Sequence, residues 1–302
     1  MRLLIAGAQG QLARAMIELA PSAADVTAFA IGRPALDLTA PASVLSTLAD
    51  FKPDIIVNAA AYTAVDRAEQ EPAAAMALNA EGPRRLAETA ERMGAVLIHL
   101  STDCVFDGAK PHPYVEDDPT TPLSVYGRSK LAGEEAVRRA APRHLILRTS
   151  WVYSPFGSNF VKAMLQRAER HGELRVVDDR YGCPTYAPHL AAAILAVART
   201  VIAEPERPVW GTYHAAGSGA VTWCGFAREI MRLSAARGGP SVPVVPITTA
   251  EYPTAAARPM NSHLDCRKLA TTFGVALPPW QEGLTECIER LSASWVAARR
   301  KD

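Results

Sequence analysis

Residues 1–13 read Met1-Arg2-Leu3-Leu4-Ile5-Ala6-Gly7-Ala8-Gln9-Gly10-Gln11-Leu12-Ala13, and the order of residue types there decides the fold. Arg2 to Ala6 is an apolar run of strand length, Gly7 to Gly10 a tight turn, and Gln11 opens a helix. Gly7 and Gly10, with Ala13 three residues on, fit a G-x-x-G-x-x-[GA] spacing. Glycine lets the backbone come close to a pyrophosphate, and the following helix offers unpaired N–H groups and the positive end of its dipole. A plain turn uses glycine too. The strand before and the helix after are what make this the context of a dinucleotide site.

Working outward, strands and helices alternate. Val26-Thr27-Ala28-Phe29-Ala30 reads as a second strand, whose end faces the adenosine ribose in such folds. An acidic residue there would favour the 2′-hydroxyl of NADH. Arg33 instead suits a 2′-phosphate, which favours NADPH while leaving NADH possible, and it reads equally as a solvated loop residue. Asp37 either caps the helix through Val44 and Leu48 or faces the adenine, with Leu38 beside it. Asp54-Ile55-Ile56-Val57-Asn58-Ala59-Ala60-Ala61 is a strand ending in small residues that leave room for a cofactor, and Tyr62 and Thr63 should lie against it. Ala73 to Met93 reads as one helix, and His144 to Trp151 begins as another strand. The pattern is that of an α/β protein with a Rossmann-type doubly wound parallel sheet.

Val96-Leu97-Ile98-His99-Leu100 is a buried strand in this reading, with His99 a core residue. Ser101, Thr102 and Asp103 fall at its carboxyl end, where open α/β sheets place their ligands. After a loop holding Pro111, Pro113, Pro119 and Pro122, Tyr126 and Lys130 open a helix through Leu131, Ala132, Glu134 and Val137. A loop of that length suits a substrate-shaping role. The four-residue spacing sets the phenol and the ammonium on one helix face. A neighbouring cation stabilises a phenolate, so Lys130 is expected to lower the proton affinity of Tyr126 and fit it for general acid work on a carbonyl oxygen receiving a hydride. Tyr-x-x-x-Lys alone recurs by chance in helices. The strand-end Ser101-Thr102 and the glycine turn give it weight.

After Trp151 the character changes. Helices over 160–170, 223–235 and 282–298, with short strands over 174–178 and 211–216, fit a smaller α/β substrate-binding lobe, and the helix over 188–200 is expected to return to the sheet domain. The dinucleotide-binding part is expected over 1–155, with segments of about 174–220 partly returning to it, and the lobe mainly over 156–302. Trp210, Trp223 and Trp280 read as packing residues.

Composition narrows the functions available. The chain has 302 residues, 49% of them hydrophobic, enough for a substantial core. With 32 basic and 31 acidic residues its net charge is +1, so no long-range field argues for nucleic acid or an anionic membrane. No run approaches the roughly 18 apolar residues of a membrane span. The first residues pass straight into a strand, and a cytoplasmic, soluble protein is expected. The 5 cysteines are widely spaced and the histidines form no pair at metal-binding helical spacing, so reduced thiols and no metal site are expected.

The motifs together resemble the extended short-chain dehydrogenases/reductases and, within them, the dTDP-4-dehydrorhamnose reductases. The resemblance runs nearly end to end. It rests on residues 7–12, Val57 to Asp66, Ser101-Thr102-Asp103-Cys104-Val105-Phe106-Asp107-Gly108, Tyr126 to Glu134, Arg148 to Tyr153, Arg258-Pro259 and Asn261-Ser262. It implies reduction of the 4-keto group of dTDP-4-dehydro-L-rhamnose by NADPH or NADH. Tyr126 would be the proton donor, Lys130 would hold the nicotinamide ribose, and Thr102 would take the usual catalytic serine's place beside Asp103. Gly10, Gln11, Leu12, Asp37, Leu38, Ala61, Tyr62, Thr63 and Ser101 would contact the cofactor, Trp151 the sugar, and Arg258 the nucleotide-sugar diphosphate. Cys104 departs from the family's tyrosine, leaving a smaller side chain beside the site. Some members pair through a glutamate-held magnesium ion; Ala15 and Pro188 stand at the matching positions, so that metal is not expected, and a monomer or a homodimer both remain open. The alternatives are a reductase of another dTDP-4-keto-6-deoxysugar and a non-catalytic NADP-binding regulatory subunit like the methionine adenosyltransferase beta subunit.

Overall fold

The computed structural model describes residues 1–299. The chain begins β1 (Arg2–Ala6), α1 (Gln11–Leu19), β2 (Thr27–Ile31), α2 (Pro41–Phe51) and β3 (Ile55–Asn58). Then come α3 (Val65–Ala68), α4 (Pro72–Met76), α5 (Gly82–Met93), β4 (Val96–Thr102), α6 (Val125–Ala140) and β5 (His144–Thr149). After β6 (Val152–Tyr153), α7 (Phe160–Ala168), β7 (Leu174–Val177), β8 (Tyr181–Gly182), β9 (Thr185–Tyr186) and α8 (Ala187–Ala203), strand β10 (Gly211–His214) adds to the edge of β5. The chain closes with β11 (Val221–Thr222), α9 (Trp223–Ala236), β12 (Val244–Ile247), β13 (Asn261–Ser262), α10 (Arg267–Phe273) and α11 (Trp280–Arg299).

Six strands in the order β2-β1-β3-β4-β5-β10, every neighbour parallel, form the central sheet. Helices cover both faces. Leu12 and Met16 of α1 join Leu190 and Ile194 of α8 on one; Val44, Leu48, Leu86 and Val137 of α2, α5 and α6 line the other. That two-sided burial is why β3 and β4, buried at every position, read as continuous apolar runs. The winding reverses between β1 and β3, and a crevice opens there beyond the carboxyl ends. A second core, with Met164, Phe226, Ile230 and Leu284, joins α7, α9 and α11 to the small pairs β12-β7 and β6-β9 and the sheet β11-β8-β13. Strands β7 to β9 therefore belong to the smaller sheets, whereas α8 and β10 belong to the large one.

Two local expectations are met in part. The stretch expected to be helical over 73–93 is helical throughout, with α4 and α5 joined by a wide π turn at Ala77–Glu81. Pro83 has no N–H to give to Asn79, so the regular ladder cannot run through. Asp37 does not cap α2, whose N-cap is Ala40 followed by Pro41. The Asp37 carboxylate instead accepts from Thr39 N at 2.9 Å and Thr39 Oγ1 at 2.7 Å, closing its own turn.

Glu134 locks α6 onto the sheet. Its wholly buried carboxylate accepts from Ser101 Oγ of β4 at 2.6 Å, Arg148 Nε and Nη2 of β5 at 2.9 and 2.8 Å, and Arg138 Nη2 at 2.6 Å. Burial would raise its proton affinity, but these partners prevail and hold it below the usual glutamate value. Its contribution is thus present above the ordinary glutamate range and is lost as pH falls through the lowered value. Glu134→Gln strands the buried Arg148 guanidinium, and a loss of about 3–5 kcal/mol in denaturant unfolding is the expected result.

Candidate active site

The crevice holds two joined cavities, of about 690 and 540 Å³, which share Gln9, Gly10, Ala59 and Ala61. The first is walled by Gly7, Gly10, Arg33, Asp37 and Leu38; the second by Gln11, Leu12, Ala61, Thr63, Ser101, Thr102, Asp103, Tyr126, Lys130 and Trp151. Gly7, at φ +103°, passes so close to the end of β3 that a Cβ would lie 3.0 Å from Ala60 Cα. The N-terminus of α1 begins at Gly10 with no side chain capping it, so its N–H groups stay available to phosphate oxygens. Thr149 Oγ1, buried and unpartnered, belongs to a residue on the second cavity's wall. This cradle fits a dinucleotide.

Tyr126 and Lys130 sit in the first turns of α6, whose start is fixed by Ser124 Oγ accepting from Gly127 N at 3.1 Å. Burial pushes the Tyr126 phenol up, a shift toward which Cys104 and Asp103 add and which Thr102 opposes. This corrects the expectation that Lys130 lowers it. The Lys130 ammonium is turned to Leu100 O at 2.6 Å and lies 3.5 Å from His99 Nε2. Burial holds Lys130 down at about 8, against the pull of Glu134. A phenol held protonated is the correct state for an acid, so the chemistry survives the correction.

Thr102 Oγ1 donates to Asp103 Oδ1 at 2.8 Å and accepts from Cys104 N at 3.1 Å. Asp103 also takes Ser150 Oγ at 3.0 Å; burial raises its proton affinity, and its bonds to Ser262, Thr102 and Ser150 counter that. Cys104 is pushed well up by burial and stays a thiol. Trp151 adopts φ +47°, and its indole stacks on Trp223 with ring centroids 3.4 Å apart. Gly182 makes room for it, since a Cβ there would fall inside the indole.

Two expected residues are not on the walls of these two cavities. Tyr62 is absent from the cavity walls: its backbone is held by Asn79, through Tyr62 N to Oδ1 at 2.7 Å, and its hydroxyl donates to Glu71 Oε2 at 2.7 Å. Arg258 lines an adjoining cleft of about 340 Å³ with Arg167, Arg175, Arg180, Phe160 and Trp223. There its guanidinium grips Asp66 through Nη1 at 2.8 Å and Nη2 at 2.6 Å. Residues to which the sequence reading gave no role are Asn79, Asn58, Thr149 and Asp66, while His99 and Trp223 read as core and packing residues and are so placed. Only Asn79 carried a local signal, the proline in mid-helix.

A family model described as RmlD substrate binding domain matches residues 1–293. The dTDP-4-dehydrorhamnose reductase of Sinorhizobium fredii is 50% identical over 282 residues, covering 93% of this chain and 95% of that protein. The chain belongs to the dTDP-4-dehydrorhamnose reductase family. Family members of solved structure superpose closely. That of Clostridium acetobutylicum has a TM-score of 0.89 at 38% identity, and that of Bacillus anthracis, in complex with NADP, 0.87 at 36%; each match covers 96% of this chain and 99% of the other. Among the described residues no helix is long and apolar enough to cross a membrane.

Gly182→Ala forces the Trp151 indole off Trp223. The expected result is loss of the coupled near-ultraviolet circular dichroism of the stacked pair, with helical signal retained, and a cost of about 1–3 kcal/mol in unfolding.

Proposed function

We propose that this protein reduces the 4-keto group of dTDP-4-dehydro-β-L-rhamnose to give dTDP-L-rhamnose, with NADPH as the reductant. The observation that carries the reading is the convergence of Thr102, Tyr126 and Lys130 on one cavity that opens into the dinucleotide cradle. NADPH supplies the hydride that reaches C4 of the sugar. Tyr126, kept protonated by burial, gives its phenolic proton to O4 as the carbon–oxygen double bond becomes single. Thr102 steadies that oxygen by turning its hydroxyl from Asp103, which keeps Ser150 as a partner. Lys130, Ser101, Ala61 and Thr63 hold the nicotinamide end, Gln11 and Leu12 the pyrophosphate turn, and Arg33 the 2′-phosphate.

Trp151 takes the sugar face. The arginine-lined cleft beyond it suits the nucleoside diphosphate: burial and the neighbouring Arg258 charge weaken the hold of Arg180 on its proton, and a bound anion relieves that repulsion. Asp66 then yields part of its grip on Arg258. Catalysis rather than a regulatory role is favoured by the intact Thr102, Tyr126 and Lys130.

The test is loss of reduced-nicotinamide absorbance with dTDP-4-dehydro-L-rhamnose and identification of the product by NMR; no turnover with that sugar overturns the reading. Tyr126→Phe is expected to lower kcat by about 10²–10⁴-fold with NADPH affinity unchanged. Lys130→Ala loses turnover and weakens NADPH binding as well. Arg258→Ala is expected to raise KM for the nucleotide sugar about tenfold and leave that for NADPH in place.

A further inference from the structure

His99 lies on β4 beneath the nicotinamide end of the crevice and is wholly buried. Its Nδ1 stands 3.0 Å from Asn58 Nδ2 on the neighbouring strand β3. The Asn58 amide has its direction fixed from the other side, because Oδ1 accepts from the backbone N–H of Ala60 at 3.2 Å. An amide nitrogen only donates, so His99 Nδ1 must accept. A neutral imidazole that accepts at Nδ1 carries its proton on Nε2. That N–H points at Lys130 Nζ, 3.5 Å away.

Two donors therefore face each other, at a separation longer than a normal hydrogen bond. Of the ammonium's three protons one goes to Leu100 O at 2.6 Å. The unprotonated amine, by contrast, would have a lone pair to accept from Nε2–H. We infer that His99, held by Asn58 in the tautomer that turns Nε2–H toward Lys130, is a positioning residue that sets a donor against the Lys130 ammonium and so disfavours its charged form.

The remaining groups around this pair are accounted for. Burial and the charges of Lys130, His144 and Arg138 hold His99 neutral, with its proton affinity well below the ordinary value. Glu134, one turn beyond Lys130, pulls the other way, but its oxygens are already committed to Arg148, Arg138 and Ser101. Tyr126, one turn before Lys130, and Asp103 and Cys104 beyond the end of β4 complete the set. The consequence for catalysis rests on the reductase reading above, whereas the tautomer and the titration do not.

The test is NMR on the full chain. Long-range proton–nitrogen spectra report which ring nitrogen of His99 is protonated, and the Cε shift of Lys130 against pH reports its charge. The chain has 6 lysines and 7 histidines, so Lys130→Arg and His99→Phe identify the two resonances. The expected result is a proton on Nε2 and a Lys130 midpoint well below the ordinary lysine value of about 10.4. Asn58→Asp gives Nδ1–H an acceptor and should reverse the tautomer. The Lys130 midpoint should then rise by about one pH unit more than the same substitution causes in a His99→Phe background, a tenfold change in the ratio of charged to uncharged amine. A proton on Nδ1 in the unaltered protein overturns the inference. A Lys130 midpoint that rises equally with and without His99 overturns it too. None of these readings uses turnover, so an inactive protein with the expected spectra would sink the reductase assignment alone.

Discussion

The Glu134 carboxylate is shared by Ser101 on β4, Arg148 on β5 and Arg138 on its own helix, and through Arg148 Nη1 the same cluster reaches Glu116 O in the proline-rich loop at 3.2 Å. A parallel sheet supplies no local turn to fix where a crossover helix lies along its strands. A helix packed by apolar contact alone can slide by a turn at modest cost. A buried carboxylate with four charged or polar donors cannot, because any slip leaves a charge unpaired. The register of Tyr126 and Lys130 above the end of β4 follows from that lock, one turn further along the same helix.

Electrostatics in the site follow from depth more than from pairing. Burial raises Tyr126, Asp103 and Cys104 together and lowers Lys130 and His99 together. Each shift disfavours charge. Low polarizability of such surroundings makes every placed dipole count. Thr102, Ser150 and the backbone N–H of Cys104 are such dipoles.

Much of this was legible in the sequence. The glycine turn after β1, the apolar runs of β3 and β4 and the four-residue spacing of Tyr126 and Lys130 report local geometry, and the sequence states local geometry directly. What stayed hidden depends on pairs far apart in the chain. Asp66 and Arg258 meet across 192 positions, Asn79 meets Ser129 across 50, and Asn58 meets His99 only because β3 and β4 are neighbours. His99 looked like core because its strand is core. The proton affinity of Tyr126 was misread for a related reason: spacing places a cation near the phenol, but only the fold says which way the ammonium points and how dry the site is.

The path of the chain between the two cores limits how the molecule can be divided. Strand β10, from residues 211–214, covers the outer edge of β5, and α8 covers the face shared with α1. A piece ending near residue 155 would lack both. It would bare Leu145 and Leu147 along an unpaired parallel edge, the kind of surface on which chains add to one another. The dinucleotide-binding half is therefore completed by segments from the second half of the chain and could not be cut out intact at residue 155.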